Sequence, residues 1–165
     1  MLSRFSTSFL VAIALFCAMS LSACAKPKNL DTMTDEEVDA WLKSDASDDK
    51  IPLTVSTTNI RVEYANTPEK RQLGLMFRRE LCEDCGMLFK FDSPRIGSIW
   101  MKNTFVALDL AYIDVQGEIV DIKQLQPREL IPVKSSSQVL YALEMNKGWF
   151  SKQDIRVGDK VALLP

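Results

Sequence analysis

From Leu53 onward the apolar residues come in short runs cut by turn residues, and this punctuation limits what the chain can build. Ile60, Val62 and Tyr64 alternate with Arg61 and Glu63, the two-residue period of a half-buried strand. Met87–Phe91, Ile99–Met101, Phe105–Ile113, Ile119–Ile122, Val139–Met145 and Lys160–Leu164 read as further strands. Between them stand the turn signals Asp92-Ser93-Pro94-Arg95, Asp114-Val115-Gln116-Gly117 and Gly158-Asp159, with Pro127 and Pro132 marking an extended loop. Thr67 as N-cap and Pro68 at the first helical position open a helix that turns Leu73, Met76 and Phe77 inward and ends near Arg79. Gly148 to Asp154 reads as a second short helix. No strand–helix–strand rhythm or internal repeat is present. The expectation is a mostly β domain of about six or seven strands with two short helices.

What precedes this domain has the layout of an exported leader. Arg4 gives a positive start, Phe9–Met19 an apolar core, and Ser22 and Ala23 the small residues before a cut. The apolar stretch is shorter than the roughly 20 residues of a bilayer span. Leu21-Ser22-Ala23-Cys24 resembles the lipobox of bacterial lipoproteins, which implies cleavage before Cys24 and lipidation of its thiol. Multiple acyl chains hold a protein firmly at a bilayer, so the membrane is an expected partner through Cys24. Ala25, standing where an inner-membrane lipoprotein carries Asp, places the chain at the outer membrane facing the periplasm if the host is Gram-negative. The expected division is leader 1–23, acidic tether 24–50 and folded domain 51–165. Within the tether, Thr34 and Glu37 fit a capping box ahead of Val38, Trp41 and Leu42, so one short helix is expected there.

Charge and residue usage exclude several functions. Taking Arg4 from the 20 basic residues leaves 19 against 22 acidic ones, and the excess acid lies in the tether. The domain is close to neutral, with no basic field for nucleic acid. Histidine is absent, which removes Ser-His-Asp and Cys-His machinery along with the usual general base near neutrality. Cys17 and Cys24 belong to the leader, so Cys82 and Cys85 have no further Cys or His with which to hold zinc. No metal or cofactor is expected.

Four segments in order resemble the DUF192 (UPF0127) family: Val62–Arg79 (VEYANTPEKRQLGLMFRR), Gly86–Phe91 (GMLFKF), Trp100–Ile113 (WMKNTFVALDLAYI) and Val139–Val161 with its LEMNKG and VGDKV elements. The resemblance runs from about Leu53 to Leu163 and implies a compact, barrel-like mixed sheet. It implies no established activity. One departure is the pair Cys82 and Cys85 ahead of Gly86, where the family pattern is usually not cysteine-flanked.

Cys82-Glu83-Asp84-Cys85 has the spacing of a thiol–disulfide centre. In an oxidising compartment the two cysteines are expected to be bonded to each other. Glu83 and Asp84 between the sulfurs disfavour a reactive thiolate, so a structural disulfide and a redox pair both stay open. Asp109 interrupts an apolar strand, and alternation puts it on the face of Phe105, Ala107, Ala111 and Ile113. A carboxylate buried there needs a cation or several donors, with Lys102 or a nearby arginine as the supplier. Lys102, Asn103 and Thr104 gather an ammonium, an amide and a hydroxyl between two apolar strands. With Arg71, Arg78 and Arg79 from the first helix they are candidates to line a cleft for a carboxylate, phosphate or sugar. Trp100 and Met101 read as one rim and one core residue.

The sequence therefore suggests a membrane-tethered extracytoplasmic domain that binds a small polar or anionic ligand or an envelope protein. Two alternatives stand beside it. One is an envelope enzyme using Cys82 and Cys85, or Asp109 and Lys102; the other is a purely structural envelope protein.

Overall fold

The structure, a computed structural model, describes residues 34, 36 and 50–163. The leader, Cys24 and all of the tether helix except Thr34 and Glu36 lie outside the described residues. The chain divides into units Met1–Met33 and Thr34–Pro165, and the fold below is that of the second.

Strand β1 (Lys50–Val55) turns through Ser56 and Thr57 into β2 (Thr58–Ala65), antiparallel with Val55 opposite Thr58. Ser56 takes a φ of 54°, the left-handed geometry that a two-residue hairpin loop uses. Helix α1 (Pro68–Leu73) follows, capped by the Thr67 hydroxyl accepting from the Lys70 amide at 3.2 Å. Gly74, at φ 51°, ends it more than a turn before Arg79, the end the sequence suggests. Met76 is nevertheless buried, and the half-buried Phe77 donates its amide to the Asn103 carbonyl at 2.7 Å.

Strand β3 (Gly86–Ile99) runs parallel to β2 and antiparallel to β6 (Val133–Asn146). Between them in sequence come β4 (Leu108–Ile113) and β5 (Ile119–Leu125), joined by a hairpin. The Asp114 carboxylate accepts from the Gln116 and Glu118 amides and shapes that turn. Helix α2 (Trp149–Lys152) and β7 (Val161–Leu163) complete the domain.

The seven strands form one mixed sheet in the order β5-β4-β6-β3-β2-β1-β7. It curls into a half-barrel whose edge strands meet at one end. There Val161 donates to the Gly117 carbonyl at 2.7 Å and Ile119 to the Asp159 carbonyl at 2.9 Å. The expected fold class, a mostly β barrel-like sheet with two short helices, is the observed one. Two hydrophobic layers result. Leu53, Val62, Leu88, Ile113 and Leu143 pack with Trp149 and Phe150 on one face. Phe89, Leu108, Leu110 and Tyr112 pack on the other, under Leu75 and Met101.

Three local expectations change. Asp92–Arg95 is no turn; β3 runs through Pro94, and a register shift against β6 between Lys90 and Arg95 absorbs it. Pro94 is tolerated because a bulge leaves it without a ladder amide to supply. Ile99 is the last residue of that strand, so Ile99–Met101 is not a separate one. The run from Phe105 enters the sheet only at Leu108, because Thr104 and Met101 are occupied in a turn bond at 3.0 Å.

Candidate functional site

Alternation along β4 sends Leu108, Leu110 and Tyr112 to one layer, and Ala111 and Ile113 to the other. Asp109 falls on the face of Ala111 and is only 4% exposed. Its partner is neither Lys102 nor an arginine. The Gly148 amide donates to Asp109 Oδ2 at 2.8 Å, so the carboxylate closes the start of α2, where Gly148 has φ 85° and no side chain to cap with. The second oxygen, Oδ1, is buried without a hydrogen-bond partner. Burial holds the Asp109 pKa above the usual carboxylate range; the Gly148 bond and the Lys147 charge pull it partly back.

Beside Asp109 lies a cavity of ≈ 400 Å³, reached by side chains from β5 and from α2 with its following turn. Lys123 and Gln124 line it from β5; Ser151, Asp154 and Arg156 line it from the other wall. Phe150 and Ile155 form its apolar floor, both buried in the first layer. At the mouth, exposed Arg156 and Asp154 pair at 2.6 Å. Lys123 lies 3.7 Å from Asp121 and also donates to the Lys134 carbonyl. The cavity thus has the Asp109 carboxyl in its lining, with Oδ1 itself closed off from solvent, and two cations nearby.

The other candidates from the sequence lie apart from Asp109. Met101 packs in the second layer, with Leu108 and Leu110, so the Lys102–Thr104 loop belongs to the face opposite Asp109. Asn103 adopts φ 56°. Thr104 is buried, and its carbonyl accepts from Arg128 at 3.0 Å. The Lys102 ammonium stands 5.6 Å from the centroid of the half-exposed Trp100 ring. Arg71 binds Asp92 at 2.8 Å and the Lys90 carbonyl at 2.9 Å, and Arg78 pairs with Glu63 at 2.7 Å. Arg79 approaches the Phe105 ring to 5.3 Å and Arg128 approaches it to 5.1 Å.

Cys82 and Cys85 are joined in a disulfide. Its loop is fastened to the end of β6 and to α2. Asn146 donates to the Cys82 carbonyl at 2.7 Å and to that of Glu83 at 3.1 Å. The Trp149 indole donates to Asp84 at 2.9 Å, and Lys152 pairs with Glu83. Among the described residues no cluster of acidic and cysteine side chains is arranged to hold a metal.

One buried carboxyl was not singled out from the sequence. Glu144, 4% exposed, lies in the row between Met87 on β3 and Leu110 on β4. Burial alone pushes its pKa up to about 8. Its signal was present: like Asp109, it interrupts an apolar strand.

Comparison with known proteins agrees on the fold. The family model DUF192, described as "Uncharacterized ACR, COG1430", matches residues 51–163. A protein of unknown function from Novosphingobium aromaticivorans DSM 12444 is 32% identical, with TM-score 0.65, over 68% of this chain and 84% of its own. A Sinorhizobium meliloti 1021 protein described as a "putative transcription regulator" is 33% identical, with TM-score 0.64, over 69% of this chain and 92% of its own. No curated protein matches.

Proposed function

We propose a ligand-binding role for this chain, which belongs to the DUF192 family: an extracytoplasmic domain, held at the membrane through lipidated Cys24, that takes a small polar molecule beside Asp109. The observation that carries this reading is Asp109 Oδ1, a carboxylate oxygen buried without a partner next to a ≈ 400 Å³ cavity. Such an oxygen is costly in a fold unless something donates to it. Lys123 and Arg156 on the same cavity suit an anionic or acceptor group at the ligand's other end. A hydroxylated or amino-bearing molecule with an acceptor end, such as an amino sugar or a free amino acid, has that complementarity. The tether reading rests on Leu21-Ser22-Ala23-Cys24.

The test is calorimetric titration of the protein with D-alanine, L-serine and glucosamine 6-phosphate. Asp109→Asn keeps an acceptor for the Gly148 amide but removes the charge. At least one probe is expected to bind, with affinity reduced about 10- to 100-fold in the variant, the range for a hydrogen bond to a charged group. Equal affinity in both proteins, or no binding by any probe, counts against the reading.

A second surface is favoured by one further observation, the approach of both Arg79 and Arg128 to the Phe105 ring. Together with the Lys102 ammonium over Trp100 in the same loop sequence, it is suited to an acidic segment of an envelope protein.

A further inference from the structure

The Cys82–Cys85 loop has different electrostatics in the structure from those its sequence implies. Glu83 and Asp84 stand between the sulfurs in the chain, yet α2 engages both carboxylates, through Lys152 and the Trp149 indole. The cation at the sulfur is Lys50, the first residue of β1, whose ammonium lies 3.7 Å from Cys85 Sγ. Arg61 of β2 donates to the Lys50 carbonyl at 2.8 Å and fixes the strand end from which that ammonium reaches. Cys82 is exposed and Cys85 half-buried. Both line a shallow cleft of ≈ 540 Å³ with Pro52, Ile60, Arg61 and Asp84.

We propose that Cys82–Cys85 is a thiol–disulfide exchange site, with this cleft receiving a cysteine-bearing peptide segment. Exposure selects Cys82 as the sulfur attacked, and Lys50 selects Cys85 as the sulfur that leaves. The partner thiolate attacks Cys82 Sγ and a partner–Cys82 disulfide forms. The Cys82–Cys85 bond breaks, and its electron pair departs with Cys85 as a thiolate facing the Lys50 ammonium. No proton moves in this step. A second thiolate on the partner then attacks the partner's own bonded sulfur and releases Cys82 as a thiolate. The partner dithiol is oxidised to a disulfide and the Cys82–Cys85 pair is reduced. A leaving thiolate stabilised by a neighbouring cation accelerates exchange. Half-buried Pro52 supplies apolar contact for an incoming chain. The site shares no residue with the Asp109 cavity, so either proposal can fail without the other.

The test uses the full chain with reduced glutathione as the thiol probe, acid quenching, and tandem mass spectrometry of the trapped species. The mixed disulfide is expected on Cys82. Lys50→Met is expected to slow its formation about two- to fivefold, the scale of an exposed charge interaction. Lys50→Arg should restore the rate, and high salt should erase the difference between Lys50→Met and the native chain. A role for Lys50 in folding alone would move neither the site of the adduct nor the salt dependence. Preferential modification of Cys85, equal rates for folded native and Lys50→Met proteins, or full retention of the disulfide in a large excess of glutathione would each overturn the proposal.

Discussion

At the scale of single residues, two carboxyls face the same physical problem with different outcomes. Asp109 has an amide for one oxygen and a cavity beside it; Glu144 lies between Met87 and Leu110, where burial dominates its chemistry. Burial pushes the Glu144 pKa up from 4.5 to about 8 in the folded chain. Between those values the folded chain holds a proton that the unfolded chain has released. Stability therefore falls as pH rises from about 4.5 through about 8, by on the order of 1 kcal/mol per unit crossed, and then levels off. Urea unfolding at pH 5 and pH 9 checks this. The native chain should lose stability between them, and Glu144→Gln should lose several-fold less; parallel behaviour would contradict the assignment. Both carboxyls carried one signal in the sequence, an acid interrupting an apolar strand. The donor to Asp109 did not, because Gly148 lies 39 positions away and meets it only through the fold.

At the scale of elements, the legible parts are those whose causes are local. Thr67 and Pro68 announced the start of α1, and Asp114 with Gly117 the β4–β5 hairpin. The course of β3 through Pro94 was not legible, because it depends on the register with β6 rather than on the four residues that resemble a turn. The arginines were misleading for a related reason. Arg71 and Arg78 look available on a helix pattern, yet β3 and β2 supply Asp92 and Glu63 to them. The Cys82–Cys85 loop depends on distant elements in the same way. Asn146 holds two of its carbonyls, so Asn146→Ala should cost about 1–3 kcal/mol. Hydrogen exchange should show faster opening of residues 82–86 and little change in β4 and β5. Unaltered exchange in that loop would mean that the disulfide alone fixes it.

For the whole molecule, the decisive feature is the meeting of the two sheet edges around Gly117 and Val161. Gly117 has φ 77°, and a side chain there would collide with the Val161 carbonyl. Gly117→Val is expected to separate β7 from the β5 end. The predicted result is a loss of roughly 2 kcal/mol or more by denaturant unfolding, with β7 amides becoming labile. A variant as stable as the native chain would show that closure contributes little. The mostly β class was readable from alternation and turns, whereas β1 was missed and Ile99–Met101 was read as a strand in its stead. Closure was not readable, because it joins the β4–β5 hairpin to the last strand through an isolated bridge, Glu118 with Lys160. The candidate site was readable only at Asp109. Its other walls come from β5 and from α2 with its following turn, and no spacing in the sequence announces them.

The most direct test of the ligand-binding reading is a crystal structure of the chain purified from its native source without refolding. The account predicts density larger than a water molecule in contact with the Asp109 carboxyl and extending toward Lys123 or Arg156. A cavity holding only solvent, or one closed by its own side chains with Asp109 satisfied internally, would contradict it.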